Sequence, residues 1–114
     1  MADRFKDNLG YFFRDTVRKF PDKTALIDLS GPTPREVGYK ELDRRHDQFA
    51  ALLHQLGLKP GDRMAMSVGN RFEFVEIMYG AMRAGIVPVP LNTKLGADTI
   101  EFTIQNSGSV AAVI

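Results

Sequence analysis

Cysteine and tryptophan are both missing from these 114 residues. Without a thiol there is no disulfide, no thiolate nucleophile and no Cys-ligated zinc or iron–sulfur cluster. Histidine is scarce, at His46 and His54 only. Their spacing along one helix sets them about 80° apart around its axis, a poor arrangement for a shared metal. No stretch approaches the roughly 20 apolar residues that cross a bilayer. The start, Met1 to Lys6, lacks the basic end and apolar run of a secretory signal. Nor is one sign of charge in excess: 15 Lys+Arg face 14 Asp+Glu, a net +1. Bulk charge therefore gives no reason to bind nucleic acid or an acidic membrane. A cytoplasmic protein is the simplest expectation. Familiar chemical motifs are also lacking. There is no Gly-x-Gly-x-x-Gly and no Gly-x-Ser-x-Gly. Gly80 and Gly85 have the spacing of a phosphate loop, but Ile86 and Val87 stand where Lys and Ser or Thr are required.

What is present is an ordinary globular composition, 44% hydrophobic and 25% charged, cut into short elements by 10 Gly and 6 Pro. Leu9, Phe12, Phe13, Thr16, Val17 and Phe20 recur at helical spacing, which predicts a helix from about Asn8 to Lys19 with one buried stripe, stopped by Pro21. Thr24 to Leu29 and Arg35 to Gly38 flank a Gly/Pro-rich turn and read as a hairpin. Leu42, His46, Phe49, Leu53 and Leu56 define a helix over Tyr39 to Leu56, closed by Gly57, Leu58 and Pro60. Arg63 to Val68 reads as a strand. Asn70 and Glu73 resemble a capping box for a helix running to Arg83. Ile86 to Val89 is the next strand, and Pro88, which donates no ladder hydrogen bond, assigns it to an edge. Ile100, Phe102 and Ile104 fit both periods. The alternation of strand and helix around them favours a helix over Ala97 to Gln105, then a buried strand over Val110 to Ile114. The expected fold is α/β: a βαβαβ unit with a largely parallel sheet flanked by helices, preceded by a helix and a hairpin. An apolar final run suggests an incomplete piece of a larger domain, with exposed apolar area and self-association as consequences.

Candidate chemistry is sparse. His46 lies on an apolar stripe and reads as a partly buried residue bonded nearby, for instance to Asp43. Asp43-Arg-Arg-His-Asp47 reads as a solvated helix face with local ion pairs and no interleaved aromatic for nucleic acid. No residue is assigned a catalytic or metal-binding role. Parallel α/β sheets receive ligands at the carboxyl ends of their strands. There the sequence offers Asn70 and Arg71 after one strand, and Asn92 and Thr93 after the next. Free amides at a helix start beside Asn70 suit an anion, whereas both Asn residues also suit capping or turning the chain.

Taken in order, Phe20-Pro-Asp-Lys-Thr-Ala-Leu-Ile27, Gly38-Tyr-Lys-Glu-Leu-Asp43, Leu56-Gly-Leu-Lys-Pro-Gly-Asp-Arg63, Asn70-Arg-Phe-Glu-Phe74 and Ala84-Gly-Ile-Val-Pro-Val-Pro-Leu-Asn92 resemble the start of AMP-forming acyl-CoA synthetases of the adenylate-forming superfamily. Gly38, His46 and Gly69 depart from it, standing where Thr or Ser, an apolar residue and Pro are usual. The resemblance implies a first, partial subdomain of a large N-terminal AMP-binding domain, spanning residues 1–114. It implies a parent ligase of fatty acid metabolism that uses ATP, Mg2+ and CoA to activate a small carboxylic acid as an acyl-adenylate and then a thioester. The family's Lys-ended phosphate loop, Thr-Glu motif, ribose-binding Asp, hinge and late catalytic Lys lie beyond the matching segment. The fragment alone is therefore expected to be inactive, to bind none of these cofactors strongly, and to partner the remainder of its parent chain. Another adenylate-forming enzyme, such as a peptide-synthetase adenylation domain, and a non-catalytic binding module are the alternatives.

Overall fold

The computed structural model describes residues 7–114; the charged start read above lies outside them. After a 3-10 turn, Leu9–Tyr11, the order is α1 (Arg14–Lys19), β1 (Thr24–Asp28), β2 (Arg35–Gly38), α2 (Tyr39–Gln55), β3 (Arg63–Met66), α3 (Phe72–Arg83), β4 (Val87–Pro90), α4 (Ala97–Ser107) and β5 (Ala111–Val113). β1 and β2 form an antiparallel hairpin, and the other strands form a parallel sheet in the order β4-β3-β5. The α/β architecture and its βαβαβ unit are as the alternation of elements predicts.

Position in the sheet explains the burial of each strand. β3 has a neighbour on both sides, and Met64, Ala65 and Met66 are wholly buried. Leu53, Ile77, Ala81 and Ile86 complete its core. β4 pairs with β3 alone, where Pro88 and Pro90 cost no hydrogen bond on the outer side. The expected buried strand Val110 to Ile114 is corrected. β5 is shorter, pairs only with β3, and leaves Val110 and Ile114 exposed. Together the elements make a slab of 46 × 45 × 21 Å, about two layers thick. No described helix is long and apolar enough to cross a membrane.

α2 ends as predicted. Gly57 adopts φ +87°, and Leu58 N donates to Leu53 O at 3.1 Å. Leu42, His46 and Leu53 are buried, whereas Leu56 at the end of the stripe is exposed. A second small core joins Val37, Leu42 and Phe72, seating the hairpin on α2 and α3.

The N-terminal helix is where periodicity misleads. The chain forms a 3-10 turn, breaks at Phe12 and Phe13, and resumes as six-residue α1, which buries nothing. Leu9 and Phe12 are 68% and 64% exposed, whereas Phe13 packs against the second core, so the stripe is split rather than buried as one face. The cause is Arg83, whose guanidinium is 1% exposed. Its Nε donates to Gly10 O at 2.7 Å, and its Nη groups donate to Asp43 O, Asp43 Oδ1 and Asp47 Oδ1 at 3.1, 2.6 and 2.8 Å. A Cβ on Gly10 would lie 2.6 Å from Arg83 N and 2.8 Å from Tyr79 O. That close backbone approach fixes the chain at Gly10 in a path a continuous helix would not follow. The reading of Asp43 to Asp47 as a solvated face with local ion pairs holds in part: Arg44 is exposed and Asp47 is 61% exposed, but His46 is buried. Arg44 and Arg45 do bond Glu41 at the surface, but both aspartates turn to Arg83.

Candidate functional site

The connection out of β3 leads to β4 on one side, whereas β5 lies on the other. Strand order therefore reverses at the β3–β5 pair, the place where open α/β sheets leave a crevice at their carboxyl ends. A crevice of about 440 Å³ lies there, lined by Ser67, Val68, Gly69, Arg71, Glu73, Ile77, Val113 and Ile114. Ser67 N donates to Val113 O at 2.8 Å and closes its floor.

Of the residues anticipated at strand ends, Arg71 lines this crevice and Asn70 precedes it on the same loop. Asn92 and Thr93 follow β4, on the other side of β3, and are not in its lining. Asn92 Oδ1 accepts from Lys94 N at 3.0 Å, which makes it a turn residue. The structure thus divides the four candidates rather than gathering them. Ser67, Val113 and Ile114 replace the second pair; the signal that points to them is strand order, which a sequence does not state.

The expected capping box is also corrected. Arg71 holds the N-cap position of α3 with no side-chain cap, and Asn70 does not substitute. The first amide of the helix, Phe72 N, instead donates to Asp28 Oδ2 at 2.8 Å, from the end of β1. The same oxygen accepts from Arg35 Nη2 at 3.0 Å, while Oδ1 accepts from Ser30 N and Ser30 Oγ at 2.8 and 2.6 Å. Hydrogen bonds from Ser30 first, then Phe72 N, hold the Asp28 carboxyl well below the usual carboxylate range. Arg35 reaches on to Glu73 Oε1 at 3.0 Å and lies 4.9 Å from the centroid of the buried Phe72 ring. A second open cleft, about 450 Å³ and lined by Asp28, Ser30, Thr33, Arg35, Arg71 and Glu73 among others, shares Arg71 and Glu73 with the first. The Arg71 backbone bonds Gly69 O and Phe74 N, and its side chain, near Glu73, lines both clefts.

A carboxyl with a lowered folded pKa stabilises the fold above its ordinary value and loses that contribution as pH falls below it. Asp28→Asn is therefore expected to destabilise the protein at pH 7 and to flatten the decline of stability between about pH 4 and pH 2. Urea midpoints across that range check it; an unchanged acid limb would show that the cap carries no linkage.

Chemically, the arrangement offers one guanidinium and the open end of a parallel sheet. Among the described residues no three His, Asp or Glu side chains converge to hold a metal ion.

Residues 13–114 match the AMP-binding enzyme family model. The chain belongs to the AMP-binding enzyme family. Within that family it is 32% identical over 106 residues to the long-chain-fatty-acid–CoA ligase FadD13 of Mycobacterium tuberculosis, covering 93% of this chain and 21% of that relative. It is 42% identical over 77 residues to the salicyl-AMP ligase / salicyl-S-ArCP synthetase of the same organism, covering 66% and 14%. A solved Mycobacterium tuberculosis fatty acyl CoA synthetase superposes with a TM-score of 0.88 at 32% identity, over 96% of this chain and 22% of that one. The chain spans about a fifth of the length of these AMP-binding CoA ligases.

Proposed function

We propose that these residues are the first, partial subdomain of the large N-terminal domain of an ATP-dependent acid–CoA ligase. In this reading the parent enzyme joins a carboxylic acid to AMP with release of pyrophosphate, then transfers the acyl group to CoA. Adenylation turns a poor leaving group into a good one, and neutralising phosphate charge carries most of the acceleration. The observation that supports this reading best is the family match over residues 13–114, joined to CoA ligases among its relatives.

ATP, Mg2+ and CoA are proposed as the parent's requirements. Among the described residues no metal-ligating cluster converges, and the sequence has no Gly-rich loop ending in Lys. No catalytic step is derived through these groups. Asn70, Arg71, Asn92 and Thr93 remain proposed contacts, with Arg71 the strongest because it alone of the four lines the β3–β5 crevice. A cytoplasmic location and a small-acid substrate belong to the same proposal.

The purified 114-residue chain is expected to give no ATP–pyrophosphate exchange above a heat-killed control; exchange would overturn its assignment as an inactive fragment. The salicyl-AMP ligase relative supports a second reading, an adenylate-forming enzyme that loads a carrier other than CoA. Thioester formation with CoA by the full-length protein, across a panel of acids, separates the two. The outer edge of β5, unpaired among the described residues, supports the proposed self-association of the chain. Sedimentation across the micromolar range checks it, and a clean monomer counts against it.

A further inference from the structure

His46 is wholly buried on α2, and neither of its ring nitrogens makes a well-formed hydrogen bond with a described residue, although the Val75 carbonyl faces the ring. It does not bond Asp43, as its position predicted. Its ring lies 5.4 Å from that of Phe13 and 5.8 Å from that of Tyr79, centroid to centroid. A buried polar ring without well-formed hydrogen bonds costs stability, so its neighbours are informative.

Residues 8–19 are tied to the rest of the fold at this same junction. Arg83 Nε holds Gly10 O, and Asn8 Nδ2 reaches Arg83 O at 3.4 Å. Phe13 packs on His46 and Tyr79, and Phe12 on Tyr79. Arg83 also lies over the Tyr11 ring, 4.6 Å from its centroid. α1 itself buries no residue. We propose that residues 8–19 form an acid-releasable strap: a proton on His46, caged between Phe13 and Tyr79 beside Arg83, frees the strap from α2 and α3 while the parallel sheet stays folded.

Arg83 on α3 and Asp43 on α2 are the charges that act on the ring, Tyr79 on α3 packs against it, and Asp47 and Tyr11 are reached only through Arg83. A protonated imidazole adds a donor for which the Val75 carbonyl is the one backbone acceptor near the ring, and a second cation beside Arg83. Asp43 is the attractive partner, but its carboxylate already accepts from Arg83. To serve His46 it must let go of the guanidinium that holds Gly10. Either outcome, ring expulsion or loss of that bond, loosens the strap first, because α1 buries no residue of its own and the strap is held at this junction. Burial first, and then Arg83, push the His46 pKa down to about 4, with Asp43 and the Val75 backbone opposing. A depressed folded pKa gives stability that is present above about 6.5 and is lost as pH falls toward 4.

Amide hydrogen exchange on the 114-residue chain tests this. Between pH 7 and pH 5, protection factors at Val17 and Phe20 are expected to fall about 20-fold, while those of Met64 to Met66 hold. His46→Leu is expected to abolish the difference. Glu76, a carboxyl on α3 whose pKa burial raises, is present in both chains and cannot account for a change between them. In a His54→Gln chain the one remaining imidazole is expected to titrate well below 6.5 by NMR, a reading that does not depend on the leucine variant folding. Equal protection at both pH values overturns the proposal. So does a loss spread over β3, a loss that survives His46→Leu, or an imidazole titrating at 6.5.

Discussion

Arg83→Met is expected to lower the unfolding free energy by about 2–3 kcal/mol, below the range for a fully buried ion pair because Asp43 and Asp47 are 32% and 61% exposed. The guanidinium is nearly inaccessible and bonds Gly10 O, Asp43 O and two carboxylates; water can replace it at the carboxylates but not at the buried Gly10 carbonyl. Its loss leaves a buried carbonyl unmet on the strap and two aspartates facing one another on α2. Methionine fills much of the volume, which isolates the charge and hydrogen-bond part of the effect from a cavity. Arg83→Lys keeps the charge but loses the planar fork, and cannot meet Gly10, Asp43 and Asp47 at once. It is expected to recover less than half of the loss. Urea unfolding checks both, through a lower midpoint at an unchanged slope. A loss under about 1 kcal/mol for Arg83→Met would mean that the network does not hold the strap.

The second large effect is a reversal of sign. In a helix interior, Gly→Ala ordinarily stabilises by about 1 kcal/mol. At Gly80, in the middle of α3, alanine is expected to destabilise by about 1–3 kcal/mol. A Cβ there would sit 2.9 Å from both Cβ and Cδ1 of Phe49 and 3.2 Å from His46 O. The ring of Phe49 can turn, but its Cβ and the α2 backbone cannot move without separating the helices. Valine, with two further methyl groups, is expected to prevent native packing of α2 on α3. Thermal unfolding of the alanine variant decides the matter, and a raised midpoint would refute the close crossing. The effect should add to that of Asp28→Asn, whose contacts are at the far end of α3.

The order of elements was legible because local physics sets it. Gly57 and Pro60 stop α2, Pro88 confines β4 to an edge, and the alternation of strand with helix leaves a parallel sheet as the natural outcome. The N-terminal segment was not legible in the same way. Leu9, Phe12 and Phe20 carry helical spacing, yet they are exposed, because Arg83 captures Gly10 from 73 positions away and bends the chain there. Periodicity reports which residues share a face; it does not report what that face meets.

The same limit governs the site. Residue types alone singled out the strand ends proposed as contacts, and by themselves they determined the fold class, the segment order and the family resemblance. Only the tertiary structure decided that β5 lies beside β3, which opens the crevice next to Arg71 and leaves Asn92 and Thr93 on the far side. It alone decided that Asp28, 44 positions distant, caps α3 in place of Asn70. Strand order and remote caps depend on which surfaces bury one another, and that is a property of the assembled layers rather than of any short stretch of chain.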